Sequence, residues 1–215
     1  MNPTILKHAV KTAWVLIAFT IVSTLGLAVI YHSTKAPISK AEAEVRMRLF
    51  GQILPADLYD NNLLQDAIKQ PAGGDLGNLD ETMIHRARLK GEPAALILEA
   101  TAPDGYSGDI RLLVAIKSTG EIVGVRVLDH KETPGLGDYI DIGHSNWIKN
   151  FDGQSLKKTK VDAWLLKKDG GTFDFTTGAT ITPRAVVKAV HKVLNFYQVH
   201  QQAFFETASG QALAQ

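Results

Sequence analysis

Ile110–Leu128, IRLLVAIKSTGEIVGVRVL, is the stretch whose reading decides the fold class. Ile110–Lys117 is rich in β-branched and long aliphatic side chains, and Glu121–Leu128 alternates. Ser118-Thr119-Gly120 between them has the composition of a hairpin turn. Just upstream, Ala94–Ala100 (AALILEA) is apolar enough for another strand. Downstream, Val161–Lys167 (VDAWLLK) and Thr172–Phe175 predict a second hairpin across Asp169-Gly170-Gly171. Strands joined by turns, with no helices alternating between them, point to an α+β fold of antiparallel hairpins with flanking helices.

The chain closes with a predicted helix from Pro183 to about Phe205, whose stripe is Val186, Val190, Leu194 and Tyr197. The tail 206–215 is expected to fray. On the other side, residues 56–80 are rich in Asp, Asn and Gly and predict an irregular connection with one short helix near Leu63–Ile68. Before them, Ser39-Lys40-Ala41-Glu42 has the pattern of a capping box, opening a helix with Val45, Leu49 and Ile53 on its apolar stripe. Pro37 is expected to end any helix arriving from the N-terminal side, and Pro55 to stop this one.

From Thr12 to Thr34 the chain has no Asp, Glu, Lys or Arg, and Ala13–Tyr31 is almost wholly apolar. About 20 such residues at ~1.5 Å each span a hydrocarbon core of roughly 30 Å. Trp14 and Tyr31 stand at the two ends, where amphipathic rings favour the interface. A cleaved signal peptide has a shorter apolar stretch and a small-x-small site after it, and HSTKAPI provides none. Residues 12–34 are therefore expected to be a membrane anchor. Lys7 and Lys11 precede it while Lys35, Lys40, Arg46 and Arg48 follow, so charge leaves the orientation open.

Composition narrows the chemistry. Twenty-three basic and 22 acidic residues give a net charge of +1, without the basic stripe that nucleic-acid binding uses. The chain has no cysteine, which excludes disulfides, thiolate zinc sites and cysteine-ligated iron–sulfur clusters. Redox chemistry would have to come from a bound organic cofactor. His130, His144 and His191 lack metal-ligand spacing, so no metal is expected. Trp147 and Trp164 are assigned to the core, and Lys157, Lys158 and Lys160 to a solvated face.

The string Asp174-Phe175-Thr176-Thr177-Gly178-Ala179-Thr180-Ile181-Thr182-Pro183-Arg184 carries the most information. Thr182-Pro183 predicts a helix start, with the hydroxyl as cap. Gly178 and Ala179 let the backbone run close to a neighbour, and Thr180 precedes a helix N-terminus able to seat a phosphate. Arg184 in the first turn could add to that field. The same residues also suit a turn that merely caps a helix, and physical chemistry alone leaves both readings open. A second segment, Glu132-Thr133-Pro134-Gly135-Leu136-Gly137, by itself reads as a Pro-Gly turn between strands.

Asp174 followed by Thr177-Gly178-Ala179-Thr180 resembles the flavinylation motif of a family of membrane-anchored subunits. That family includes the G subunits of Rnf (Rsx) electron-transport complexes and the C subunits of sodium-pumping NADH:quinone reductases. Glu132–Gly137 resembles a loop near the flavin in the same family, and the compact length favours the Rnf branch. The resemblance implies FMN attached through its phosphate to Thr180 as a phosphoester, by a separate flavin transferase. By the same resemblance Asp174, Thr177, Gly178, Ala179, Thr182, Glu132, Thr133, Gly135, Leu136 and Gly137 are cofactor-binding, and no residue of this chain is catalytic.

Also implied are a cytoplasmic tail (1–11), a helix and connecting segment (35–80) and an FMN-binding domain (81–205). The expected protein is a single-pass component of the bacterial inner membrane with its C-terminal domain in the periplasm. Its partners would be other subunits of an Rnf-type complex coupling ferredoxin/NAD electron transfer to ion translocation. Two readings from other classes compete: a tethered scaffold without cofactor, and a hydrolase with Thr180 as nucleophile, for which the sequence offers no His or Lys base nearby apart from distant residues the fold could bring in.

Overall fold

The strands predicted around Ser118-Thr119-Gly120 build the centre of the domain. The computed structural model describes residues 3–213. It contains an antiparallel sheet of β1 (Ala67–Gln70), β2 (Thr82–Leu89), β3 (Glu92–Ala102), β4 (Ile110–Lys117) and β5 (Ile122–Asp129), in that spatial order. The α+β class is as expected. Gly120 N–H donates to Lys117 O at 2.8 Å, closing the β4–β5 hairpin. β3 and β4 pair over eight positions, from Ala95 opposite Lys117 to Ala102 opposite Ile110.

The even-numbered side chains Leu96, Leu98, Leu112, Val114 and Ile116 pack with Val186, Val190, Val193 and Leu194 of α2 (Ile181–Glu206) in the main core. Odd-numbered Ile97 and Leu113 on the opposite face are buried as well. Phe50, Ile53, Leu54 and Leu63 are buried in the segment that reaches this face, where Phe50 meets the His85 ring with centroids 4.7 Å apart. Burial on both faces explains why β3 reads as an apolar run.

Two strands were not legible as such. The segment near Leu63–Ile68, expected to be a short helix, is a turn leading into β1, and β2 is a strand without a local sequence signal. β2 carries polar residues that are buried with partners. Arg86 of β2 is 3% exposed; its guanidinium donates to Asp66 Oδ1 (2.6 Å), Phe204 O (3.1 Å) and Ser209 Oγ (2.6 Å). Those acceptors lie far away in sequence, so no local pattern announces them.

The same network overturns the frayed tail. Lys69 N–H donates to Gln211 O (2.8 Å) and Leu213 N–H to Lys69 O (2.9 Å), so the C-terminal segment pairs with the open edge of β1. Backbone groups of an edge strand are unpaired unless something covers them. The last two residues of the expected tail lie outside the described residues, as do Met1 and Asn2 of the expected N-terminal tail.

The predicted hairpin over 161–175 is also corrected. Tight turns occupy 161–163 and 167–169, and the flanks form no strand pair: Phe173 N–H donates to Leu165 O (3.1 Å) and Lys167 N–H to Phe173 O (2.8 Å), a single parallel bridge between Leu166 and Phe173. Trp164 and Phe173 are instead drawn into an aromatic cluster with Phe151, with centroids 4.8–6.4 Å apart. Burying those rings outweighs the strand propensity of the segment.

α1 runs from Pro3 to Gly51 without interruption. Pro37 therefore does not end it and Ser39 does not cap a new helix; the Ser39 hydroxyl donates back to Ala36 O at 2.9 Å. An interior proline costs one hydrogen bond and about 3 kcal/mol, and the strong helix formers from Lys40 to Leu49 carry the helix on past it. At ~1.5 Å per residue the element is about 73 Å long, well beyond a single bilayer core. Its apolar stretch is exposed throughout. The hydroxyls of Thr12, Thr20 and Thr34 donate to carbonyls four residues back at 2.8–3.0 Å, so none needs water. Among the described residues it is the one helix that is long and apolar enough to cross a membrane. The chain divides into two compact units, through Met47 and from Arg48 onward.

Candidate functional site

Two four-residue turns, each needing a glycine, form one edge of a cleft. In Thr133-Pro134-Gly135-Leu136, Leu136 N–H donates to Thr133 O (3.1 Å) and Gly135 has φ +74°. In Thr176-Thr177-Gly178-Ala179, Ala179 N–H donates to Thr176 O (3.1 Å) and Gly178 has φ +89°. A positive φ in the third position is what a type II turn requires, and proline suits the second. The turns meet where Leu136 covers Gly178: a Cβ built there would lie 3.9 Å from Leu136 Cδ1.

Aromatic side chains hold the second turn. Tyr139 Oη accepts Thr176 N–H (3.3 Å) and donates to Ala179 O (3.2 Å). Burial pushes the Tyr139 hydroxyl above its ordinary range, against the opposing hydrogen bonds with Thr176, so it keeps its proton as donor. Trp147 Nε1 donates to Asp174 O at 2.7 Å, which explains how a core tryptophan serves the motif.

The back wall is Glu132, 4% exposed, whose Oε1 accepts Ser107 N–H at 2.9 Å and whose Oε2 accepts the Thr182 hydroxyl. The carboxyl thus ties the 105–108 loop, the 132–137 turn and the start of α2 together. Gly137 is where this packing leaves no room. A Cβ there would stand 3.1 Å from Glu132 Cβ, Glu132 Oε2 and Thr182 Oγ1 alike.

Between these walls is an open cleft, lined by Tyr106, Glu132, Thr133, Leu136, Gly137, Gly178, Ala179, Thr180, Ile181 and Thr182. Eight of the eleven residues expected at a cofactor site are therefore together. Asp174, Thr177 and Gly135 do not line the cleft. Asp174 is half-exposed and ion-paired with Lys167 at 2.5 Å, while Thr177 and Gly135 are turn corners. Tyr106, Ile181, Tyr139 and Lys168 are added to the site by the tertiary structure. Tyr106, set between glycines in Asp104-Gly105-Tyr106-Ser107-Gly108, bore the one usable signal.

α2 begins at Ile181, two residues before the expected start, so Thr180 rather than Thr182 occupies the N-cap position. Thr182 does not cap because its hydroxyl, 1% exposed, is committed to Glu132. Thr180 is half-buried, makes no side-chain cap, and its Oγ1 accepts from Lys168 Nζ at 3.3 Å. Arg184 does not face this point: its guanidinium grips Asp169 at 2.8–3.1 Å.

The donor set suits a phosphate at the Thr180 end. The Ile181 and Thr182 amides at the head of a 26-residue helix lack intrahelical acceptors, the helix end is partially positive, and an ammonium lies beside the hydroxyl. Leu136 (42% exposed), Ile181 (46%) and Tyr106 (67%) are apolar surface suited to a flat ring. FMN therefore fits the residues present. Among the described residues no group of His, Cys, Asp or Glu could hold a metal ion. His130 accepts Glu132 N–H, His144 pairs with Asp138, and His191 stacks on Trp164.

A sheet-and-helix domain with this cleft, behind one long apolar helix, defines a tethered cofactor-binding protein, and residues 105–195 match the FMN-binding domain family. Residues 1–53 match the RnfG N-terminal region. The chain is 43% identical over 206 residues to the G subunit of an ion-translocating oxidoreductase complex of Pseudomonas aeruginosa, covering 95% of this chain and 96% of the relative. G subunits of the same complex from Pseudoalteromonas atlantica (40% identity, 93% of both chains) and Vibrio cholerae (43% identity, 89% and 91%) are similar along nearly their whole lengths. The chain belongs to this family, the G subunits of ion-translocating oxidoreductase complexes.

Proposed function

We propose that this chain is a membrane-anchored flavoprotein subunit that carries FMN as a phosphoester on Thr180 and relays electrons within a multi-subunit complex. The observation that carries the reading is the position of Thr180. It is the half-buried hydroxyl at the head of α2, beside a lysine, on the lip of the cleft lined by Glu132, Leu136 and Gly178. Bound FMN supplies the redox chemistry, and the protein's share is to tether, orient and shield it.

Each residue then has a physical task. Thr180 holds the phosphate and is an attachment point, not a nucleophile in turnover. Gly178 and Ala179 let the backbone pass beneath the phosphate without a large side chain in the way. Leu136, Ile181 and Tyr106 offer apolar surface to the ring. Glu132 and Thr182 fix the wall by hydrogen-bonding each other. Gly135, Thr133 and Gly137 shape the turn, and Asp174 and Thr177 lie on the exposed side where a flavin transferase would read the motif.

The exposed apolar surface of α1 supports an anchor in a bacterial inner membrane. With a short cytoplasmic tail, the folded domain would lie in the periplasm, where a covalent tether keeps the cofactor from being lost. Neighbouring subunits would exchange electrons with it in a complex that couples ferredoxin/NAD electron transfer to ion translocation. The isolated chain would show no complete activity.

Intact-mass measurement of the chain produced with a flavin transferase tests the attachment. The expected increment is FMN less one water, absent from Thr180→Ala, whose denatured band should show no flavin fluorescence. Fluorescence persisting in that band would sink the assignment of Thr180. Protease added to intact spheroplasts should remove the domain from Arg48 onward. Its protection would refute the periplasmic placement.

A further inference from the structure

Lys167, Lys168 and Asp169 reach three different points of the motif. Lys167 pairs with Asp174 at 2.5 Å, Lys168 Nζ lies 3.3 Å from Thr180 Oγ1, and Asp169 grips Arg184 at 2.8 Å. The three residues form a single tight helical turn. Behind it Gly171 presses on the chain so closely that a Cβ there would fall 2.1 Å from Leu165 O. Ion pairs on either side and this close approach fix the backbone from which Lys168 projects.

The charges around Thr180 are unequal in their use. Lys167, Arg184 and Lys188 each have a carboxylate partner, in Asp174, Asp169 and Asp104. Lys168 forms no ion pair among the described residues. Its ammonium donates to the Thr180 hydroxyl and lies 5.9 Å from the Phe175 ring centroid. A hydroxyl satisfies one of its three donors and none of its charge.

We propose that Lys168 is the counter-charge for an anionic phosphate carried on Thr180, a positioning residue that aims the attached group into the cleft. The inference rests on the reading of Thr180 as the attachment site. With the ammonium on one side and the free first-turn amides of α2 on the other, the phosphate is held from two directions. The ring then leaves toward Leu136, Ile181 and Tyr106. Because the pair is exposed, it is sensitive to salt.

The test uses the full-length, flavin-loaded chain in detergent and follows the phosphorus-31 resonance of the phosphoester and the flavin fluorescence anisotropy. From about 0.01 M to about 1 M salt the screening length falls from ~30 to ~3 Å, so the parent resonance should move. In Lys168→Ala it should begin near the parent's high-salt position and stay there, with lower anisotropy and unchanged melting temperature. Lys168→Arg should restore the salt dependence. Should Lys168→Ala fail to load while Lys168→Arg loads, with both equally folded, the proposal is supported through the loading step. A Lys168→Ala protein with the parent's resonance, salt response and anisotropy overturns it. Flavin on denatured Thr180→Ala would instead overturn the underlying attachment reading, whatever Lys168 does.

Discussion

Replacing Thr182 by Val keeps the side chain's shape and deletes one donor at the back of the cleft. The hydroxyl is 1% exposed and its acceptor, Glu132, is 4% exposed, so water cannot easily take its place. Glu132 would retain only the Ser107 N–H among its side-chain partners. A hydrogen bond to a carboxylate contributes about 1.5–3 kcal/mol, and leaving the acceptor unsatisfied falls at the same scale. A loss of about 2 kcal/mol is expected, which for a domain of this size lowers the melting temperature by about 4–8 °C. Thermal unfolding of the full-length chain in detergent, followed by tryptophan fluorescence, measures it. Glu132→Gln should cost less, because the amide can still face the Thr182 hydroxyl. The double variant should fall short of the sum by about 1 kcal/mol, as residues in contact do. Flavin loading should persist in Thr182→Val, since Thr180 is untouched. A Thr182→Val protein melting within about 1 °C of the parent would refute the claim that this bond ties the wall.

Further outcomes follow from the same structure. Gly178→Ala should cost about 1–2 kcal/mol in chemical denaturation, because the left-handed φ of +89° is strained for any other residue while the new Cβ meets only Leu136 at an ordinary distance. Gly137→Ala acts differently: with three atoms at 3.1 Å it should spread Glu132 from Thr182, and adding Thr182→Val should cost little more in melting temperature. Burial depresses the His191 pKa, so its neutral form is favoured in the fold. Stability should therefore be full above about pH 6.5 and decline as pH falls below it, a slope that a pH series of melts should find flattened in His191→Gln. Burial tends to raise the Asp66 pKa, but hydrogen bonds from Arg88, Arg86 and Ser209 and the charge of Arg86 hold it below the usual range. Its contribution should be present above about pH 4 and lost as pH falls further. Asp66→Asn should remove that acid limb and loosen the C-terminal segment in hydrogen exchange.

The local signals read well where structure is set by neighbours in sequence. The hairpin of β4 and β5 follows from two apolar runs around Ser118-Thr119-Gly120. The stripe Val186, Val190, Leu194 and Tyr197 foretold the buried face of α2. Capping chemistry misled twice. At Ser39 a capping pattern sits inside an unbroken helix, and at Thr182 the hydroxyl found a better partner in Glu132, fifty positions away. Propensity competes with tertiary hydrogen bonds that are invisible in a local window, and buried tertiary bonds win.

By itself, the sequence determined what depends on short range and composition. That includes the apolar span, the antiparallel character of the domain, the absence of thiolate chemistry, the two glycine turns and the hydroxyl before a helix. The tertiary structure alone decided that Glu132–Gly137 and Gly178–Thr182 line one cleft, that Thr180 is the N-cap, and that Arg184 is spent on Asp169 while Lys168 faces Thr180. It also decided that Arg86 belongs inside and that the C-terminal segment closes the β1 edge. The physical reason is range. A turn or an amphipathic helix is specified by residues a few positions apart, whereas the partner of a buried charge depends on which distant segments the folded sheet brings within about 3 Å of it.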